Sequence, residues 1–444
     1  MNNPTDTTIT EMPAGTTAEQ APAPEPQKGS LSFVLQPPAG QTRSRKPWIS
    51  KVKEPLDREH VKRTWIATLL CLLFIVVLIL LPTGYEQAGA AYRDGSDRIR
   101  ARVTQVDNGA IVDNGLVRTG DQRCTVTLLV GEHKGESFVA DNILNGSLEQ
   151  DKIYKAGDTA LVLVSYQESE VYSVSMIDHY RIDGELLLLG GFIALMLLFA
   201  GWTGLRAVLS FLLAVLSIWK VLVPCCLNGL NPILVGGLIA VLLTAMTIGL
   251  VFGFDRRCLS ACVGAITGLA VTCALGILCT NAFKIHGAVM SFSESLLYSG
   301  FSYLNLTQIF MASIFIGSSG AMMDLSVDIA ASVHEVVQKR PDISRIDAIW
   351  SGIHVGRAAM GTQITTLLLA YSGSYIALLM VFMAQGTPLI NVFNYKYVAS
   401  EIIHTLVGSF GLVAAAPLTA VASGLFLARK EQPKKAMLSG TAAE

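Results

Sequence analysis

The stretch IFMASIFIGSSGAMMDL, residues 309–325, runs directly into SVDIAASVHEVVQKRPDISRIDAIWSGIHVGRAAMGTQITT, residues 326–366. The first part is apolar over nearly the length that crosses a hydrocarbon core, and it ends on an acid. At about 100° per residue, Asp324, Asp328 and Glu335 fall within about 40° of one another on a helix, so their carboxylates share one face. Ala321, Ala331 and Gln338 lie near the same stripe. Val327, Ile329, Val333 and Val337 occupy the other side, suited to packing on neighbouring helices or to a membrane interface. Arg357 then precedes a second apolar run that holds Thr362, Gln363 and Thr366. A central Asp costs about 2.5 to 3.5 kcal/mol on insertion scales, so such groups usually face protein or water. Asp324, Asp328, Glu335, Arg357, Thr362, Gln363 and Thr366 are therefore the candidate ligands for a small solute or ion. Plainer roles compete with that reading. Asp324 at a helix end marks the membrane boundary, Asp328 and Glu335 are solvated, and Arg357 sets topology.

The whole composition agrees with a membrane chain. Of 444 residues, 51% are hydrophobic and 15% charged, against about 25% charged in soluble domains. A net charge of -1 gives no reason to expect nucleic acid. Seven of the eight cysteines lie in or beside apolar runs and Cys124 stands alone in a polar segment, which argues against a disulfide framework. Cys258 and Cys262, one helical turn apart, have the spacing of two soft-metal ligands but no second pair to complete a site, and core packing is the favoured reading.

Residues 1–63 read as a disordered tail, rich in Pro, Thr and Ala, that becomes basic from Arg43 to Arg63 and so stays in the cytoplasm. Residues 64–83 form an anchor around WIATLLCLLFIVVLILL. Ala88–Ala90 (AGA) resembles a signal-peptidase site, but the long polar leader favours an uncleaved anchor. Residues 84–183 alternate with period two in runs such as RCTVTLLV, ESFVADNI and TALVLVSY. DNG, GEHKG and KAGD separate them, predicting a small antiparallel barrel or sandwich of five or six strands outside the cytoplasm. No nucleophile with a base, metal cluster or phosphate loop occurs there, so a binding, gating or assembly role, with a protein partner among the options, is expected rather than catalysis.

Residues 184–428 are almost continuous membrane, with spans expected at about 186–202, 204–223, 232–254, 259–282, 305–324, 360–383 and 402–427. With the anchor this makes eight transmembrane helices. Arg206, the Asp255–Arg257 turn and Lys339, Arg340 and Arg345 all fall inside, as do Arg429 and Lys430 in the tail 429–444. The outer connections carry only Lys284 and Lys396, so both termini are cytoplasmic. The amphipathic connection 326–358 is either interfacial or re-entrant. The IGSSGA run at 316–321 is compatible with an unwound helix whose carbonyls hold a cation, and equally with a continuous helix that presents small residues to a neighbour. Gly264 with Gly268 suits close helix packing. Glu401 and His404, three apart on one helical face, are secondary candidates with the spacing of two metal ligands, although interface placement is the commoner outcome. Pro417 is expected to kink the last span, with Thr419 satisfying part of what it frees.

GAMMDLSVDIAASVHEV, HVGRAAMGT, LLLAYSGS and SEIIHTLVGSFGLVAAAPLTA, in that order, resemble the YibE/F-like family of bacterial multispanning membrane proteins. TLLVGEHKGESFVADNI and KAGDTALVLV resemble that family's outer domain, so the likeness covers roughly residues 98–427. It implies a bacterial plasma-membrane protein of this topology and supplies no substrate. Where members often carry Asn-Thr after the Gly-Thr pair, this chain has Thr365 and Thr366.

Two functions follow as expectations. The first is a secondary transporter or ion-coupled permease, with Asp324 as the proton or cation site, Gln363, Thr362 and Thr366 as neutral ligands and Arg357 as counter-charge. The second is a membrane scaffold or envelope-assembly factor whose outer domain holds a partner. Enzyme activity is not expected, because paired intramembrane acids, a serine with a base, and HExxH are all lacking. No GxxxxGK[ST] loop is present and no cofactor is implied.

Overall fold

The computed structural model describes residues 58–85, 95–167 and 170–428. The tails 1–57 and 429–444 and the AGA at 88–90 lie outside the described residues. Eight long or paired helices carry the membrane part. They are α1 (Arg58–Leu80), α2 (Ile182–Leu227), α3 (Pro232–Phe252), α4 (Arg256–Ala282), α5 (Leu306–Lys339), α6 (Arg345–Ser372), α7 (Ile376–Ala384) and α8 (Lys396–Leu427). Among the described residues six helices are long and apolar enough to cross a membrane, or seven if the bent pair α6–α7 is one span. Side-chain caps set several starts. Asn231 accepts from the backbone N–H of Ile233, Asn305 from that of Gln308, and Ser344 from that of Asp347.

Two expected spans, 186–202 and 204–223, fall in the single helical record α2. Its 46 residues would reach about 69 Å if straight, over twice a hydrocarbon core. The chain does not run straight. Gly201 adopts φ 53° and ψ -125°, which side chains avoid, and Gly204 closes onto the carbonyl of Met196, whose carbon would lie 2.9 Å from a Cβ placed there. Residues eight apart in a straight helix are about 12 Å apart, so α2 doubles back at Gly201.

Contacts sort the helix ends into two groups. Trp65 and Trp202 rings lie 4.6 Å apart, Arg63 pairs with Asp255 at 3.6 Å, and Arg206 Nη1 donates to Leu250 O at 2.8 Å. At the opposite end Lys220 Nζ donates to Leu81 O, Tyr303 Oη to Leu227 O, and Tyr85 Oη to Asn228 Oδ1. The expected connection 326–358 consists of the continuations of α5 and α6, which meet in a short turn at 340–344 rather than forming a separate pair of helices. The expected span 360–383 is bent by 67° after Ser372, where a 3-10 turn covers Gly373–Tyr375.

α8 is the hub, lying against α4, α5 and α6. Small residues allow this approach. A Cβ on Gly264 would fall 2.6 Å from Thr419 Cα, and one on Gly352 2.9 Å from Ala420 Cβ. α5 is continuous through the GSSG run. Ser318 and Ser319 donate to carbonyls of their own helix, and Ser318 faces Gly408, so the close-packing alternative describes this segment. α8 remains one helix across Pro417. The Thr419 hydroxyl goes to Ala415 O and Ser326 Oγ, not to the Val413 carbonyl that the proline releases.

The domain between α1 and α2 is a closed barrel of β1 (Ser96–Asp113), β2 (Arg118–Leu128), β3 (Ser137–Asn145), β4 (Thr159–Gln167) and β5 (Glu170–His179), in the order β1-β2-β3-β5-β4. Four seams are antiparallel, but β3 and β5 pair in parallel, a Greek-key closure that strand patterns alone do not specify. Alternate residues fill it, among them Val103, Cys124, Val126, Ala140 and Val162. Buried Gln122 fixes the plug residue Tyr154. Its Oε1 accepts from Tyr154 N at 3.0 Å and its Nε2 donates to Tyr154 O at 2.9 Å.

Two outcomes follow. Gly264→Leu should lower the melting temperature of the detergent-purified protein, with a loss of about 1 to 3 kcal/mol or more from overpacking, whereas Gly237→Leu, which meets no atom within 4 Å, should not. Asp151 accepts from Asn145 N and Ser147 N, and these bonds hold its carboxyl below the ordinary 3.8. A depressed native value contributes stability above that ordinary value, lost as pH falls through the native one. Amide protection of Asn145 and Ser147, corrected for intrinsic exchange, should therefore drop on acidification below 3.8 and be pH-insensitive there in Asp151→Asn.

Candidate functional site

The helical register places the first candidate set. Gly356 packs on Ile329, and Gly352 on Val333, so α5 and α6 run antiparallel with a fixed offset. Extending it puts Asp328 level with Arg357 and Asp324 level with Gly361. Ser326, bonded to Thr419 beside Gly264, lies about 12 Å from the start of α4 at Arg256, so neighbouring Asp324 is well inside the bundle's length. Asp324, Asp328, Glu335 and Arg357 are all exposed on the helix surfaces. Among the described residues no hydrogen bond or ion pair joins Asp324, Asp328 and Arg357. Glu335 pairs with Lys339 at 2.6 Å near the end of α5. Thr362 and Thr366 are exposed and donate to Ala359 O and Thr362 O of their own helix, while Gln363 is half-buried. These groups form a polar strip rather than a closed site.

A tighter arrangement surrounds the secondary pair. Glu401 and His404 project from the first third of α8, where Glu401 Oε1 and His404 Nε2 are buried without a hydrogen-bond partner among the described residues. The Tyr371 ring from α6 lies 4.3 Å from the His404 imidazole, and Phe310 from α5 lies 6.3 Å away. A Cβ on Gly317 would fall 2.6 Å from Tyr371 Oη and 3.5 Å from His404 Nε2, so both polar atoms converge on this glycine. Thr405, 6% exposed, adds a third unpartnered atom, its Oγ1. Three such atoms within two turns are unusual, because an unmet buried polar group costs about 1 to 3 kcal/mol.

Two cavities meet here. One of about 260 Å³ lies between α6, α7 and α8, lined by Glu401, Thr405, Tyr375, Ser372 and leucines. The other, about 590 Å³, lies beside the barrel, lined by Glu149 and Gln150 of the barrel and by Glu294, Tyr397 and the same Tyr375. Tyr375 lines both cavities, and Glu401 lines the smaller one. Among the described residues no group of three or more His, Cys, Asp or Glu could hold a metal ion. Cys258 and Cys262, with sulfurs 3.9 Å apart, are a pair only.

A family model described as YibE/F-like protein matches residues 188–429, more than half of the chain. The chain belongs to the YibE/F-like family. Comparisons with curated proteins and with solved structures found no match. The match contains every candidate residue of this YibE/F-like protein but begins beyond the barrel, so the motif likeness noted at 98–183 is not part of it.

Spacing along one helix identified the Glu401–His404 face. Tyr371, Tyr375 and Gly317 were missed as its partners because no spacing within a single segment reports what another helix brings. Thr405 was missed because an orphan hydroxyl is a property of packing. Thr405→Val, which removes an unmet hydroxyl, should leave the melting temperature of the YibE/F-like protein unchanged or raised. Gly317→Ala should lower it by pushing against the Tyr371 hydroxyl.

Proposed function

We propose that this is a multi-pass protein of the bacterial plasma membrane with eight spans, α2 contributing two, and both termini cytoplasmic. It acts as a secondary transporter or ion-coupled permease for a small solute or ion, with no catalytic step. The observation that carries the reading is the pair of unpartnered buried atoms, Glu401 Oε1 and His404 Nε2, with Glu401 lining a cavity that shares Tyr375 with a larger one beside the barrel. Ionisable groups in a membrane bundle are expensive to keep unless they bind a proton, ion or solute. In this scheme Glu401 and His404 form the outer binding station. Asp324 and Asp328, with Arg357, Thr362, Gln363 and Thr366, line the inner half of the route. Grouping of the Arg63, Arg206 and Asp255 ends on one side supports the orientation, since these ends carry the basic residues.

The scaffold reading has one observation of its own. Leu116 and Leu148 are 79% and 71% exposed beside a cleft of about 200 Å³ at one end of the barrel, a shape suited to a protein partner. The readings separate in liposomes under an inward proton gradient, with amines, amino acids and organic anions added in turn and current recorded on a solid-supported membrane. The permease reading expects current with one class, reduced at least tenfold in Glu401→Gln and lowered in Asp324→Asn. Folded protein that gives no current with any class, or equal current in Glu401→Gln, favours the scaffold.

A further inference from the structure

The cavity between α6, α7 and α8 carries chemistry that narrows what it takes. Its polar contributors include Glu401, Thr405, Ser372 and Tyr375, and no basic side chain lines it. Ser372 Oγ already donates its proton to Leu368 O, so toward the cavity it accepts. An ionised Glu401 only accepts, and the unpartnered Thr405 hydroxyl can accept as well as donate. A ligand that meets Glu401 and Ser372 brings donors and, beside the carboxylate, positive charge, and the Tyr375 ring offers a face for a cation. The remaining wall is apolar, built from Leu368, Leu379, Val398, Ile402 and Leu406.

A bare metal cation fits poorly, because hard cations take six or more oxygens and half of this wall is hydrocarbon. A fully polar solute would strand its remaining groups against the leucines. At about 260 Å³ the cavity is just below the usual range for ligand sites, about 300 to 1,000 Å³, and so suits a small molecule.

We infer that this cavity binds a small organic ammonium, its charged head at Glu401, Thr405 and Ser372 and an apolar body against the leucines. As a statement about cargo the inference rests on the permease reading. As a statement about binding it stands on the cavity itself.

The test uses the full chain in lipid nanodiscs and reads the thermal midpoint against 2-phenylethylamine and 2-phenylethanol, which share a carbon skeleton and differ in charge. The amine should raise the midpoint in a saturable way and the alcohol should not. Glu401→Gln should weaken the amine's apparent affinity at least tenfold, and Thr405→Val by a smaller factor. Leu379→Trp, which adds bulk to the cavity from α7 and replaces none of its polar groups, should abolish the shift and guards against misreading a poorly folded Glu401 variant. Equal shifts from amine and alcohol, an unchanged response in Glu401→Gln, or no amine shift in well-folded protein would each overturn the assignment. Transport current with another solute class and no amine shift removes this assignment and leaves the permease. Amine binding without any current leaves the site and removes the permease.

Discussion

The membrane part depends on the close approach of α8 to α4, α5 and α6. At Thr419 this reaches its limit. The Thr419 backbone occupies the space a side chain on Gly264 would need, and its hydroxyl bonds both Ala415 O and Ser326 Oγ. In lipid there is little hydrophobic drive to bring apolar helices together, so dispersion contacts between small residues and a few interhelical hydrogen bonds must supply the association. The row of Gly408, Gly411, Ala415, Ala416, Thr419, Ala420 and Gly424 provides that surface along most of α8.

That row also fixes the height of everything polar. With α8 locked against three neighbours, Glu401 and His404 are held in its first third, where Tyr371 and Gly317 meet them. The acids of α5 stay on its exposed side, because Leu325, Ser326, Ile329 and Val333 are taken up by packing. The bundle thus separates a cluster of buried polar atoms near the start of α8 from an exposed polar strip on α5 and α6.

The barrel is organised by different physics. It gathers a compact apolar interior and pins its longest loop by the paired bonds between Gln122 and Tyr154. Arg100, bonded to Asp183 at 2.7 Å and lying over the Tyr180 ring, ties its base to the start of α2. The same junction leaves Glu149 and Gln150 lining the larger cavity.

Long apolar runs, period-two alternation and the placement of basic residues were enough to read a helical membrane protein with a small β domain after its first helix. Each is a local consequence of solvent: hydrocarbon requires about twenty apolar residues, and a half-buried strand alternates. The acidic face of α5 and the Glu401–His404 face were legible for the same reason, since helical spacing is local. Where chain segments meet was not. The hairpin at Gly201, the bend after Ser372, the parallel β3–β5 seam, and the gathering of Tyr371, Gly317 and Thr405 around His404 all depend on contacts between residues far apart in sequence. Periodicity fixes which face of an element is apolar, whereas only packing decides which neighbour covers that face and which polar atoms are left without a partner.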